Sequence, residues 1–263
     1  MKPETRELML KIAKCDELDK AKNDNKHPCH TIVHYQDDLS AFQIPEPWNG
    51  DIESAKVLIV GLNASIDLKE KEYYPQMEWD DVKKEYCLCK DWNDDKIAEY
   101  FEKRLESEDY QKRKTGGVNY WNGARKVAFW LLSNSDEYKK SFENKKIEDF
   151  NDNSELEKYY CLTEIVHCKT KTTDKESGFK EACSLCAKNY LNEIMKRFTG
   201  KYFIVLGGNS EKTEKIFKEF VSDEFLKGKK TIYFWHPSYW RYKEKGEVEK
   251  EFRKKISELK KEK

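Results

Sequence analysis

The feature that most limits the fold of this chain is a set of four short, mostly apolar runs. The runs are four to seven residues long, and segments with helical spacing of their apolar residues lie between them. Such runs are typical of strands that are buried on both faces of a parallel sheet. They lie at 57–60, 160–166, 202–206 and 231–235. The sequence therefore predicts an α/β protein with three layers, α/β/α, around a central, mainly parallel sheet of four strands.

The segments around these runs predict helices and one insert in a single domain that spans residues 1–263. Helices are predicted at 4–22, 94–105, 117–133, 177–198, 210–220 and 245–261. An acidic helical insert, made of surface helices and loops, is expected at about 66–115. Between Asp67 and Asp109 the chain carries 15 acidic and 8 basic residues, a net charge of −7. From Arg241 onward, 10 basic residues outnumber 6 acidic ones.

The overall composition excludes several classes of protein. The chain has 50 basic and 50 acidic side chains and an aromatic content of 13%. Disordered chains are poor in aromatic residues and usually carry a large net charge, so a folded protein is expected. No apolar run is long enough for a membrane-spanning helix and the first residues do not resemble a signal peptide, so we expect a cytoplasmic protein. Because the net charge is zero, a nucleic-acid surface would need segregated charge.

The polar residues after the predicted strands are the first candidates for a binding site. In open α/β sheets, ligands bind beyond the carboxyl ends of the strands. Lys169, Lys171 and Lys175 would bring positive charge to this edge, as would Arg241, Lys243 and Lys245. Any one of these strand ends is also compatible with an ordinary loop. The four ends are Gly61-Leu62-Asn63-Ala64-Ser65, His167-Cys168-Lys169, Gly207-Gly208-Asn209-Ser210 and His236-Pro237-Ser238-Tyr239-Trp240.

Several of these segments resemble motifs of the uracil-DNA glycosylase superfamily. VLIVGLNAS is similar to its first motif, nearest the mismatch-specific branch, and FWHPSYW is similar to its His-Pro-Ser/Ala loop. LTEIVHCK, EACSLCAKNYL and YFIVLGGNS resemble a strand, a cysteine-bearing helix and a second strand of the iron–sulfur branch. GVNYWNGA resembles the aromatic-x-Gly segment that stacks on the base. The resemblance covers residues 50–65, 117–133 and 160–242 in the family's order.

The resemblance implies a DNA glycosylase, expected as a monomer, that flips a damaged or deaminated base from the stack and hydrolyses its N-glycosidic bond. Asn63 would orient the attacking water, and His236 would donate a hydrogen bond to the carbonyl oxygen of the departing base. Tyr239 and Trp240 would wedge into the DNA. The residues that would bind the base are Gly61, Leu62, Tyr120, Trp121 and Glu164, with Tyr120 or Trp121 stacking on it. The DNA contacts would come from Ser65, Lys169, Ser238, Tyr239, Trp240 and Arg241.

Two positions depart from the family pattern and leave other functions open. Glu164 stands where the iron–sulfur branch has an asparagine that reads the base, and an ionised carboxylate accepts hydrogen bonds but cannot donate them. Ala64 stands where the first motif usually has proline. These departures are compatible with a base other than uracil, or with a non-catalytic DNA- or nucleotide-binding module on the same fold. A third reading is an unrelated α/β enzyme with a coincidental His-Pro-Ser loop, and core or interface roles remain open for Trp121 and Trp240.

Eight cysteines are many for a protein of a reducing compartment, where disulfides are rare. They are either buried small apolar residues or thiolate ligands. Cys161, in a predicted strand, is expected in the core. The resemblance implies a [4Fe–4S] cluster that is bound by Cys15, Cys29, Cys168 and either Cys183 or Cys186. A zinc site at Cys183-x2-Cys186 is the alternative.

Overall fold

The structure is a computed structural model of the chain, and its description is limited to certain ranges. These ranges are 1–66, 74–115, 120–170, 178–207, 210–221, 223–244 and 246–260; the side chains of residues 63–65, 109, 210–213, 216 and 223 are also outside the description. The chain divides into two compact units. The first unit consists of Met1–Trp48, Leu62–Glu102 and Thr163–Arg197. The second consists of Asn49–Gly61, Lys103–Leu162 and Phe198–Lys263.

The central feature of the fold is a parallel sheet of four strands with helices on both sides, so the predicted α/β class is confirmed. The order of the strands is β5-β2-β6-β7. The register aligns Val57 with Tyr202, and Tyr202 with Lys230. The seven strands are β1 Phe42–Gln43, β2 Val57–Ser65, β3 Gln76–Asp80, β4 Glu85–Leu88, β5 Tyr160–Thr170, β6 Tyr202–Gly207 and β7 Lys230–Trp235.

Two strands extend past the ends that their apolar runs predict. β2 continues through Asn63 to Ser65, and β5 continues through His167 and Lys169 to Thr170. All eleven residues of β5 are buried. The backbone carbonyl of His167 accepts a hydrogen bond from the Glu46 N–H at 2.8 Å, so partners exist for the polar end of this strand. The prediction that His167-Cys168-Lys169 lies beyond the strand end is therefore wrong.

The helices follow the predicted segments, with one break. The predicted helix at 4–22 is two helices, and Cys15 lies in the break between them. The predicted helix at 177–198 is regular at both ends but passes through a π-helical turn at Ala187–Leu191. The helices are α1 Pro3–Ala13, α2 Glu17–Asn23, α3 His30–His34, α4 Asp94–Glu102, α5 Glu108–Arg113, α6 Tyr120–Asn134, α7 Lys139–Phe142, α8 Phe179–Cys186, α9 Asn192–Arg197, α10 Ser210–Phe220, α11 Asp223–Leu226 and α12 Glu247–Leu259. No helix of the described ranges is both long and apolar enough to cross a membrane.

The acidic insert contains a β-hairpin, which corrects the expectation of helices and loops alone. β3 and β4 pair antiparallel, and β1 adds a third strand beside β3. Trp79 lies opposite Tyr86, and their rings meet edge to face at 5.0 Å. Met77 and Trp79 alternate with acidic residues, which is the period of a strand with one polar face. The high acidic content of the segment obscured this short alternation.

Candidate active site and cysteine centre

His236 directly follows β7 and begins a 3₁₀-helix at Pro237–Tyr242. Its Nδ1 accepts a hydrogen bond from the backbone N–H of Ser238 at 3.2 Å and lies 2.8 Å from Ser238 Oγ. A backbone N–H can only donate, so Nδ1 is the acceptor and the proton of the neutral ring is on Nε2. Burial lowers the pKa of His236 below its usual 6.5, which favours this neutral form. The imidazole therefore presents Nε2–H as a hydrogen-bond donor.

Helix α6 holds the His236 loop through one close approach. A Cβ atom on Gly123 would lie only 2.2 Å from Cγ of Pro237, so a glycine is required at this position. The ring of Tyr120, at the start of α6, is stacked on the ring of His236 at 5.6 Å and 21°. Trp121 instead meets Tyr110 edge to face at 5.1 Å. Of the two predicted stacking residues, Tyr120 is the one in contact with His236.

Trp240 is a core residue, so the expectation that it wedges into DNA is not supported. It is 9% exposed and stacks on Trp130 at 5.8 Å. Its indole N–H donates to the carbonyl of Trp235 at 3.2 Å, which satisfies its polar atom inside the unit. Tyr239, by contrast, is 49% exposed. The core alternative, left open for Trp240 by the sequence, is the one that this packing supports.

The first-motif residues lie in β2 rather than in a loop after it. The backbones of Gly61, Leu62, Asn63 and Ser65 all belong to this strand. The side chains of Asn63 and Ser65 lie outside the described part of the structure. Three other groups of predicted residues also lie outside it: residues 117–119; Lys171, Lys175 and Lys245; and Gly208 and Asn209. For these positions the sequence-based roles stay predictions.

Glu164 and Lys169 lie in β5 and are both buried. Lys169 is 3% exposed, and its Nζ lies 3.5 Å from Glu46 Oε2. The same ammonium group lies 3.7 Å from the centre of the Tyr74 ring. An ammonium held in this way offers no charge to a phosphate group at the surface. The structure therefore argues against the predicted DNA contact of Lys169.

Four of the five predicted metal ligands line one small cavity in the first unit. They are Cys15, Cys29, Cys168 and Cys186, and each is at most 7% exposed. They come from the α1–α2 break, the residue before α3, β5 and the end of α8. Cys183 is also buried, but it does not line this cavity. Of the two cysteines that the sequence left open, Cys186 is the one that joins the set, which we call the four-cysteine centre.

No lysine or arginine is among the described residues that line the four-cysteine centre. Burial raises the pKa of Cys15 to about 12 and raises that of Cys168 as well. A hydrogen bond between Cys29 and Cys186 raises the pKa of Cys29 and lowers that of Cys186. Four neighbouring thiolates are therefore unfavourable without a cation among them. Such a donor set has the chemistry that a cationic metal group requires.

The number and type of ligands match a [4Fe–4S] cluster, because four cysteines line one cavity and such a cluster is held by four cysteine thiolates. Within the described ranges, no three or more His, Cys, Asp or Glu residues are grouped around a single metal position. All eight thiols are free of disulfide bonds, and Cys161 is buried, as predicted.

One residue of the centre was missed by the sequence interpretation. The Tyr190 hydroxyl donates a hydrogen bond to Cys15 Sγ at 3.1 Å, and Tyr190 lines the same cavity. Tyr190 follows Cys186 by four residues, a spacing that places two side chains on the same side of a helix. That spacing was the available signal.

Comparison with known proteins adds no relative, because no protein-family model and no curated protein matches this chain.

Proposed function

We propose that the protein is a DNA glycosylase that hydrolyses the N-glycosidic bond of a flipped, damaged or deaminated base. The observation that carries this proposal is the state of His236. Its Nδ1 accepts from Ser238, so the neutral ring has a proton on Nε2 to donate. Cleavage of an N-glycosidic bond leaves negative charge on the departing base. A preorganised donor of this kind stabilises such charge in the transition state.

The other residues of the motifs have matching roles in this proposal. Asn63, near the carboxyl end of β2, would orient the attacking water, because its amide can hydrogen-bond water but is not a general base. Ser238 acts as a positioning residue, since its N–H fixes the tautomer of His236. Tyr120 would extend the stacked face of His236 toward the base. The target base stays open, because buried Glu164 replaces the asparagine of the family pattern.

The proposal includes an iron–sulfur cluster held by Cys15, Cys29, Cys168 and Cys186. These residues come from four separate elements of the first unit, so their shared ligand would fasten those elements to one another. The chemistry that a bound [4Fe–4S] cluster supplies is a one-electron redox centre with four thiolate anchor points. A cytoplasmic location belongs to the same proposal, because reducing conditions keep eight thiols free.

The test is an excision assay on oligonucleotides that contain uracil, hypoxanthine, xanthine or ethenocytosine. We expect alkali-sensitive sites with at least one of these bases. His236→Ala should lower the rate about 100- to 1,000-fold, as expected for the loss of a transition-state donor. Asn63→Ala should lower it as well. His34→Ala, in α3, is the control and should leave the rate unchanged.

Two results would contradict the proposal in different ways. No cleavage of any of these substrates, with DNA binding retained, would favour the non-catalytic binding module. If neither His236→Ala nor Asn63→Ala changed the rate of excision, the proposed glycosylase activity would stand, but the assigned site would be refuted.

A further inference from the structure

Two tyrosines share one exposed face of the 3₁₀-helix at Pro237–Tyr242. In a 3₁₀-helix, side chains three residues apart are eclipsed. Pro237 and Trp240 form one such pair and are buried. Tyr239 and Tyr242 form another pair, and they are 49% and 72% exposed. The same helix thus anchors itself with one face and presents two aromatic rings to solvent with another.

A cation accompanies the two exposed rings. The guanidinium carbon of Arg241 lies 4.9 Å from the centre of the Tyr242 ring. No carboxylate of the described residues forms an ion pair with Arg241. Lys243 differs, because its Nζ lies 2.8 Å from Glu247 Oε1 and is neutralised there. The segment therefore offers two rings and one unpaired positive charge, only a few residues after His236.

We infer that Tyr239, Arg241 and Tyr242 bind the unpaired bases of single-stranded DNA next to the base-excision site. Aromatic side chains beside a cation are the usual means of binding single strands, because every base has a face that can stack. Bases inside a duplex present no free face to a ring outside the stack. With Trp240 buried, this segment lacks one of its two predicted wedges into a duplex. The inference rests on the proposed function and specifies its substrate as a single strand.

The rings favour this occupant over duplex DNA for a second reason. Duplex binding depends mainly on cations that contact phosphates. In this segment Lys243 is paired with Glu247, and Arg241 is the one described cation without a carboxylate partner. Stacking, rather than charge, is thus the larger attraction that the face can offer. A target base presented to His236 also has neighbours on the same strand, and these are unpaired when the whole strand is single.

The experiment measures the affinity of the full chain for one labelled oligonucleotide, for its duplex and for the RNA strand of the same sequence. Tyr239→Ala/Tyr242→Ala removes both rings, and Tyr239→Phe/Tyr242→Phe keeps them as the matched control. We expect the wild type to bind single-stranded DNA more tightly than the duplex. The alanine pair should lose about 10-fold per ring on the single strand and little on the duplex. The phenylalanine pair should bind like the wild type.

Two outcomes would overturn the inference. One is an alanine pair that binds the single strand as tightly as the wild type, and the other is tighter binding of RNA than of DNA. Circular dichroism on each variant verifies that it is folded, which is expected because both side chains are exposed. Excision is measured separately. Ring-dependent binding without excision would refute only the proposed function, whereas excision with ring-independent binding would refute only this inference.

Discussion

The two units each bury a cluster of ionisable side chains, and the two clusters differ in how they are satisfied. In the second unit, Glu157 Oε1 lies 3.1 Å from Arg125 Nε and 3.7 Å from Lys114 Nζ. Both cations also donate to backbone carbonyls, Arg125 to Ile147 at 3.1 Å and Lys114 to Phe150 at 3.0 Å. In the first unit, no lysine or arginine is among the described residues that line the four-cysteine centre. Besides the four cysteines, these are Glu17, Leu18, Leu185, Asn189 and Tyr190.

The difference lies in whether the charges of a cluster meet opposite charges within the chain. In the Arg125–Glu157–Lys114 network both cations are hydrogen-bonded and face the carboxylate, which accepts through Oε1 while its buried Oε2 has no hydrogen-bond partner among the described residues. The four-cysteine centre does not balance its own charge once its thiols ionise. The first cluster therefore has opposite charges of its own, and the second is the one for which we propose an added cationic group.

The largest expected effect comes from removing one cysteine of the centre. Cys168→Ala should abolish the bound iron and the visible absorption of the cluster, because one of four thiolate ligands is lost. Cys161→Ala is a matched control in the same strand, and it should retain both. Cys186→Ala and Cys183→Ala form a second matched pair on α8. The measurement is iron and sulfide content per chain with the absorption spectrum.

Two results would contradict this prediction. A colourless protein with one zinc per chain would refute the iron–sulfur cluster and favour the zinc site. Equal iron content in Cys168→Ala and Cys161→Ala would show that the centre does not bind the metal.

Breaking the Arg125–Glu157–Lys114 network should have the next largest effect. Arg125→Ala leaves Glu157 with a single cation at 3.7 Å and removes three hydrogen bonds of the guanidinium group. We expect the free energy of unfolding to fall by about 3–5 kcal/mol, the usual cost of removing one partner of a buried pair. The measurement is urea unfolding, with Lys126→Ala, the next residue of α6, as the control that changes it by about 0.5 kcal/mol or less. A loss equal to that of the control would show that the network contributes little.

The fold was predictable where burial coincides with apolar sequence. The run at 202–206 predicts β6, which ends at Gly207, because nothing polar interrupts it. The end of β5 was missed because Lys169 is buried through partners distant in sequence, Glu46 and the Tyr74 ring. Likewise, the break between α1 and α2 interrupts a regular helical pattern. Local sequence contains no record of such tertiary partners.

The sequence could predict which residues form the candidate site, but it could not predict the direction in which each side chain points. Cys183 and Cys186 lie three residues apart on one helix, so spacing alone places both on the same side. In the folded unit Cys186 lines the cavity and Cys183 does not. In the 3₁₀-helix, the packing against α6 at Gly123 determines that Trp240 is buried and Tyr239 is exposed. Residue types thus predicted the chemistry, and packing assigned the individual side chains.

The His236 loop should give a smaller, pH-dependent effect on stability. Burial lowers the pKa of His236 in the folded protein below its value of about 6.5 in the unfolded chain. As the pH falls below about 6.5, the unfolded chain binds a proton that the folded protein does not, so stability decreases until the folded pKa is reached. We expect His236→Gln to reduce this acid sensitivity by at most about 1 kcal/mol. The measurement is the free energy of unfolding in urea at neutral pH and at a pH about one unit below 6.5. A variant with the same pH dependence as the wild type would refute the assigned protonation.

The smallest expected effect concerns Tyr190, whose hydroxyl donates to Cys15 Sγ at 3.1 Å. A hydrogen bond to a ligand sulfur stabilises the reduced, more electron-rich form of an iron–sulfur cluster. Tyr190→Phe removes only this donor, so the cluster should assemble with the same iron content but with a lower reduction potential. Spectroelectrochemical titration measures the potential, with Tyr35→Phe, a tyrosine of the same unit that does not line the cavity, as the control. If both variants keep the wild-type potential, the hydroxyl does not act on the cluster, and the four-cysteine centre requires only its thiols.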